Sequence, residues 1–354
     1  MITLAQMKRN VTLDFLRICA CFMVIFYHYF FYGPKLGEIY SDFSYDYMFS
    51  YGYLGIDVFF IISGFVIYNS LRTRDVWGFF KARVMRLYPT YWICLSISII
   101  VIYFLSDSTL TSQQILINFS MLQSFVNVKS IDGVYWTLAI EITFYVLISL
   151  CFFLFKGKIF TALVSFWLFS SFLSLMGYFD FGFFESVFLL KWIPYFVFGL
   201  CISFLNSNDK RSKVFILLSF ASFTLLMYRT YIRSETLANS NDFNINPLYA
   251  ILILTFIIAF FIKFLNFETS KGMIENIVIT LAAGTYPLYL LHQEIGYAVF
   301  SKFAFMDNLI GKVIFIIFLI AVSCTYIPKL ELFLRKELVK LVRGYEKYNI
   351  YKQS

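Results

Sequence analysis

Charge is scarce in this chain, and histidine is scarcer. Asp, Glu, Lys and Arg supply 14% of 354 residues, with two histidines in all, whereas soluble proteins carry about 25% charged residues. With 60% hydrophobic residues and a mean hydropathy of +0.76, apolar runs recur along the whole length, which excludes a soluble globular domain. The six cysteines (Cys19, Cys21, Cys94, Cys151, Cys201 and Cys324) all fall in apolar runs, and none has CxxC spacing. They read as packing residues, so no disulfide framework and no metal site is expected. Ser/Gly/Pro-rich linkers and fixed-period repeats are also missing. The chain therefore reads as one membrane domain over 1–328 followed by a basic amphipathic tail over 329–354.

What is present is an all-α, polytopic pattern. Ten spans are expected, at 11–32, 53–71, 88–106, 134–155, 159–176, 188–205, 214–231, 247–265, 277–299 and 309–328. Lys8 and Arg9 precede the first run, but it is long enough to cross a bilayer and has no small-residue cleavage site, so it reads as a retained span and not a signal peptide. With the N-terminus inside, the inner segments and span ends hold 21 Lys and Arg and the outer segments and span ends hold 7, with Arg17 in the first span. That bias sets N-in and C-in. The net charge of +8 is then an orientation signal and a membrane-surface anchor, and no nucleic-acid partner is expected. In the tail, Lys and Arg recur among Leu332, Leu334, Leu338 and Leu341, a pattern suited to the lipids of the inner leaflet. The outer segment from Ser41 to Ser50, with Asp42 and Asp46 among Tyr and Phe, is either a sugar-facing rim or an interfacial aromatic belt.

Both histidines, His28 and His292, sit inside apolar runs. An ionisable group at the centre of a span costs roughly 2.5 to 3.5 kcal/mol on insertion scales, so it usually persists because it lines a cavity or does chemistry. His28 is thus the first candidate for a reacting group; the alternative is a histidine bonded to a neighbouring helix as packing glue. Arg17 lies 11 residues earlier, within about 20° of three full turns and about 16 Å along the axis, so the two share a helix face. An anionic group entering from the cytoplasm past Arg17 would have its far end at His28. Arg17 could instead be a snorkelling anchor paired with Asp14.

Four further stretches carry polar groups in apolar surroundings. In Lys81-Ala-Arg83-Val-Met-Arg86-Leu-Tyr88-Pro89, two guanidinium forks at i, i+3 suit phosphate oxygens, such as those of coenzyme A, although basic residues are common at cytoplasmic helix ends. Gly55-Ile-Asp57-Val-Phe-Phe-Ile-Ile-Ser63-Gly64-Phe65 places an acid and a hydroxyl beside glycines that allow close helix approach. Glu141 is the only carboxylate in its run; hydrogen-bonded to a histidine it would set the tautomer and stabilise an imidazolium, or it could simply hold helices together. In Gly284-Thr-Tyr286-Pro287-Leu-Tyr289-Leu-Leu-His292-Gln293-Glu294, the mid-span proline predicts a kink that lines a cavity, with His292 as a substrate-binding group near the outer half.

Taken in order, Arg17-x10-His28, the Asp57/Ser63 stretch, Arg83-x-x-Arg86-Leu-Tyr-Pro, Trp136-x-Leu-x-x-Glu141-x-x-Phe-Tyr and Tyr286-Pro-Leu-Tyr-Leu-x-His292 resemble the membrane acyltransferase 3 family across nearly the whole chain. The resemblance implies transfer of an acyl group, usually acetyl, from cytoplasmic acyl-coenzyme A to a hydroxyl or amine of an envelope glycan. Some relatives carry an extra soluble hydrolase-like domain; with Ser354 as the last residue, none is expected here. The expectation is a bacterial inner-membrane O-acyltransferase acting on a surface polysaccharide or its lipid-linked oligosaccharide precursor. His28, supported by Glu141, would be the base. Arg17, Arg83 and Arg86 would bind acetyl-CoA, and Asp57, Ser63, Tyr286 and His292 would contact the substrate, with Ser63 or tyrosine hydroxyls steadying the oxyanion. A transient acyl-histidine is the variant mechanism. The competing class is a carrier or flippase for an anionic lipid-linked sugar; a structural scaffold would need none of these buried charges.

Overall fold

The computed structural model describes residues 10–353 except 41–45, 107–108, 156–157, 208–212, 242 and 268–271. Lys8, Arg9, Asp42 and the side chains of Asp46 and Leu341 lie outside the described residues. The described chain is helical, with no strand. Its main helices are α1 (Val11–Tyr27), α2 (Leu54–Thr73), α3 (Val76–Leu105), α4 (Trp136–Leu154), α5 (Lys158–Leu175), α6 (Ile193–Asn206), α7 (Lys213–Asn241), α8 (Pro247–Phe264), α9 (Met273–Leu291), α10 (Gln293–Lys302), α11 (Leu309–Ala321) and α12 (Ile327–Gln353). Among the described residues, eight helical stretches are long and apolar enough to cross a membrane, and Ile159–Leu175 and Ile193–Asn206 are shorter apolar helices. The protein is a polytopic membrane protein.

A helix occupies each expected run, but three boundaries differ for physical reasons. Helix α3 begins at Val76, because Asp75 caps it by accepting from the Gly78 N–H at 3.0 Å. Arg83 and Arg86 therefore lie within a helix and not in a loop. Helix α7 runs to Asn241, ten residues past its expected end, and carries Arg229 and Arg233 as one i, i+4 pair. The expected break at Pro287 is not there: α9 continues through the proline to Leu291 and the helix is interrupted at His292. His292 Nδ1 engages the Tyr289 carbonyl at 2.7 Å, the Leu290 carbonyl accepts from the Tyr135 hydroxyl, and the Glu294 N–H donates to Asp132 Oδ2 at 3.1 Å. The carbonyls and amide that would have continued the helical ladder are thus taken by side chains.

Two compact units are distinguished. Unit 1 comprises residues 1–31, 44–73 and 140–283, and unit 2 comprises 32–43, 74–139 and 284–354. In unit 1, α2 packs on α6 and α1, and α6 packs on α7 and α5. Glycines set the closest crossing: a Cβ at Gly64 would overlap the Phe196 carbonyl, and one at Gly199 would overlap the Ile61 carbonyl, so α2 and α6 meet backbone to backbone. Phe144 stacks on Phe196 there, with ring centroids 4.1 Å apart. In unit 2, α3 packs against α10 and α12.

Candidate active site

In unit 1, His28 is where α1 leaves regular geometry. Residues His28–Tyr32 form a π-helical turn, a feature that costs helix regularity and recurs at functional sites. The preceding helix is regular from Val11, so Arg17 and His28 keep the shared face implied by their spacing. His28 is buried, and its ring meets Tyr27 edge-on at 5.4 Å. Arg17 bonds Asp14 at 3.1 Å and is 20% exposed, so the anchoring pair weighed from the sequence is formed.

Glu141 on α4 is held from two sides. Its Oε1 accepts from Ser63 Oγ on α2 at 2.7 Å and from the Tyr145 hydroxyl one turn along α4. Ser63 is therefore joined to the candidate carboxylate. With α1 packed on α2, and α2 bonded to α4 through Ser63, the elements bearing His28 and Glu141 share a connected framework within unit 1.

Asp57 is fully buried, and its Oδ1 accepts from Arg233 Nη1 at 2.6 Å. The Arg233 guanidinium also lies over Tyr53 and Trp192, at 4.9 and 5.2 Å from the ring centroids, and Arg229 lies over Trp192 at 5.2 Å. Tyr53 shares a hydrogen bond with Ser234 at 2.6 Å and Tyr195 with Thr230 at 2.9 Å, so α7 offers this cluster a polar face. Sequence reasoning missed Arg229 and Arg233, which count there only as charge at the outer end of a span. The available signals were their helical spacing and the need of a buried Asp57 for a partner.

Unit 2 holds the other candidates. Arg83 is buried at 9% exposure with its guanidinium 5.8 Å from the centre of the Phe79 ring, whereas Arg86 is exposed. The two forks are thus unequally presented. The Tyr286 hydroxyl donates to the Leu87 carbonyl at 3.2 Å, tying α9 to α3. His292 is fully buried. Because a carbonyl only accepts, its bond to Tyr289 calls for a proton on Nδ1. Asp132, also fully buried, receives the Val134 and Glu294 amides on its two oxygens and so fixes the break beside His292. Buried Lys312 pairs with Asp307 at 3.0 Å and donates to the Tyr40 carbonyl, an arrangement that holds a loop. A cavity of about 480 Å³ in unit 1, walled by Leu147, Leu163, Trp167, Phe184 and other apolar side chains, contains none of the predicted residues.

The chain matches, over residues 10–327, the model of the acyltransferase 3 family, described as an acyltransferase domain. It is also 23% identical, over 253 residues covering 69% of this chain and 74% of the relative, to a provisionally named acetyltransferase of Acidianus two-tailed virus. No solved structure matches it.

Proposed function

Since the chain belongs to the acyltransferase 3 family and is a membrane acyltransferase, we propose that it moves an acetyl group from cytoplasmic acetyl-CoA to a hydroxyl of a surface polysaccharide or its lipid-linked precursor. Its place would be the bacterial inner membrane, with both termini cytoplasmic. Arg83, Arg86 and Arg17 are assigned to the donor phosphates, and His28 to the reacting end. A neutral His28 ring nitrogen takes the proton of the acceptor hydroxyl as its oxygen attacks the thioester carbonyl carbon. A carbon–oxygen bond forms, the carbon–sulfur bond breaks, and coenzyme A leaves as a thiolate that recovers the proton from the imidazolium. The products are an O-acetyl ester and free coenzyme A. General-base help of this kind contributes about 10² to 10⁴-fold.

Glu141 is assigned to orient His28 and stabilise its cationic form. Asp57, Ser63, Tyr286 and His292 are assigned to the acceptor side. The observation that carries the reading is the arrangement of unit 1: His28 opens a π-helical turn on the face of Arg17, in the same unit as a carboxylate fixed by Ser63 and Tyr145. The test is to reconstitute the purified full chain with acetyl-CoA and candidate glycans and to measure coenzyme A thiol together with ester. Equal amounts of both, dependent on acceptor, support the assignment. Movement of a lipid-linked sugar across the bilayer with no thiol released would establish the carrier instead.

A further inference from the structure

The cations of unit 1 outnumber their partners. On α7, Arg229 and Arg233 stand four residues apart, and both guanidinium groups lie 5.2 Å from the centre of the same Trp192 ring. Two like charges at this spacing repel each other, and the apolar span raises their cost. Asp57 answers Arg233 with a 2.6 Å bond. Glu185 is the other carboxylate acting on Arg229, but it is bonded to Lys191 at 2.8 Å and to Ser174. Partial burial would raise the Glu185 carboxyl, yet the bonds from Lys191 and Ser174 and the nearby positive charge hold it below its ordinary value, so it is ionised and already matched. Among the described residues Arg229 has neither a hydrogen bond nor an ion pair, and its Nε is buried without a partner. Three cations, Arg229, Arg233 and Lys191, thus face two carboxylates, Asp57 and Glu185.

We propose that Arg229, steadied on Trp192 and backed by the Asp57–Arg233 pair, binds an oxyanion carried by the acceptor: a sugar carboxylate or the phosphate of a lipid-linked glycan. A guanidinium supplies a planar fork matched to either group, and the aromatic face beneath it limits its movement. Asp57 then has a definite part to play, because it neutralises Arg233 and leaves a single positive charge for the ligand. The proposal rests on the acyltransferase reading for the identity of the ligand as acceptor and for the outer position of this end of α7.

The test uses the full chain in nanodiscs of neutral phosphatidylcholine, without donor, and compares probes in matched pairs. These are a galacturonate trisaccharide against its neutral galactose counterpart, and farnesyl phosphate against farnesol, with affinity read by thermophoresis. One anionic probe should bind about 10-fold more tightly than its neutral twin or better, in line with hydrogen bonds to charged groups, and the pair that shows the preference identifies the source. Arg229→Gln should abolish the preference and Arg229→Lys should keep part of it. Glu185→Gln, which removes a competing negative charge without touching the arginines, should widen it. Equal binding within both pairs by the unaltered protein, or a preference that survives Arg229→Gln, overturns the proposal. If Arg229→Gln fails to fold, Glu185→Gln decides, and an unchanged or narrowed preference overturns it. Thiol release from acetyl-CoA is measured separately. A charge preference without acetyl transfer would sink the acyltransferase reading and leave the anion site standing.

Discussion

Unit 1 sets charge against charge inside apolar sequence, Asp57 on Arg233 and Asp14 on Arg17, whereas around His292 unit 2 relies on amides, carbonyls and hydroxyls. There Asp132 receives two backbone amides, His292 binds a carbonyl, and Thr137 shares a hydrogen bond with Tyr289 at 3.0 Å. Elsewhere in unit 2, Lys312 on Asp307 fastens a loop, and Arg335 with Glu331 and Lys340 with Glu337 pair along α12. The difference matters because the two kinds of contact fail differently. Removing one member of a buried ion pair strands a charge, while removing one neutral hydrogen bond leaves a smaller deficit. Around these pairs unit 1 is therefore the more fragile region.

The comparison is tested most severely at Asp57. Asp57→Ala leaves Arg233 buried without its partner and should destabilise the protein by about 3 to 5 kcal/mol, read as a fall in the thermal midpoint in detergent. The double change Asp57→Ala with Arg233→Met should recover much of that loss, and failure to recover would show that the pair is not the source of the fragility. A smaller effect is expected at Glu141. Glu141→Gln keeps the contacts of Ser63 and Tyr145 but removes the charge, so turnover should fall on the order of 10²-fold with donor affinity unchanged. A matching loss of donor affinity would move Glu141 out of its assigned role. Next come the arginines of unit 2. Arg83→Ala should weaken acetyl-CoA binding by about 10-fold or more, and exposed Arg86→Ala by less, as calorimetry would report; the reverse order would contradict the burial argument. The smallest change belongs to Thr137→Val, which removes the neutral hydrogen bonds of its hydroxyl with Tyr289 and with the Val134 carbonyl and should cost about 1 to 2 kcal/mol with turnover preserved.

How legible this architecture is depends on how far apart in sequence the determining groups lie. The spans were readable because apolar runs of bilayer length repeat along the chain, and Arg17, His28, Asp57 and Glu141 stood out as polar residues within them. Helix ends were harder to read. The first turns of α3 carry Arg83 and Arg86, and the last turns of α7 carry Arg233, so both segments read as polar connections when taken alone. The break at His292 could not be placed, since it is set by Tyr135 and Asp132, 155 and 162 residues from their backbone partners. The partner of Asp57 was hidden for the same reason, 176 residues away. Counting Arg229 and Arg233 as topology signals concealed what two arginines on one helix face require.

The two histidines carry the central claim, because His28 lies in the region of matched charges and His292 in the region of neutral hydrogen bonds. The most direct measurement is acceptor-dependent release of coenzyme A thiol from acetyl-CoA by reconstituted His28→Ala and His292→Ala proteins, with donor affinity measured on the same samples. His28→Ala should lose on the order of 10² to 10⁴-fold in turnover while still binding donor, and His292→Ala should need more acceptor to reach half-maximal rate but keep its turnover. Near-normal turnover by His28→Ala, together with an equally deep loss in His292→Ala that no acceptor concentration restores, would contradict the account and pass the base to His292.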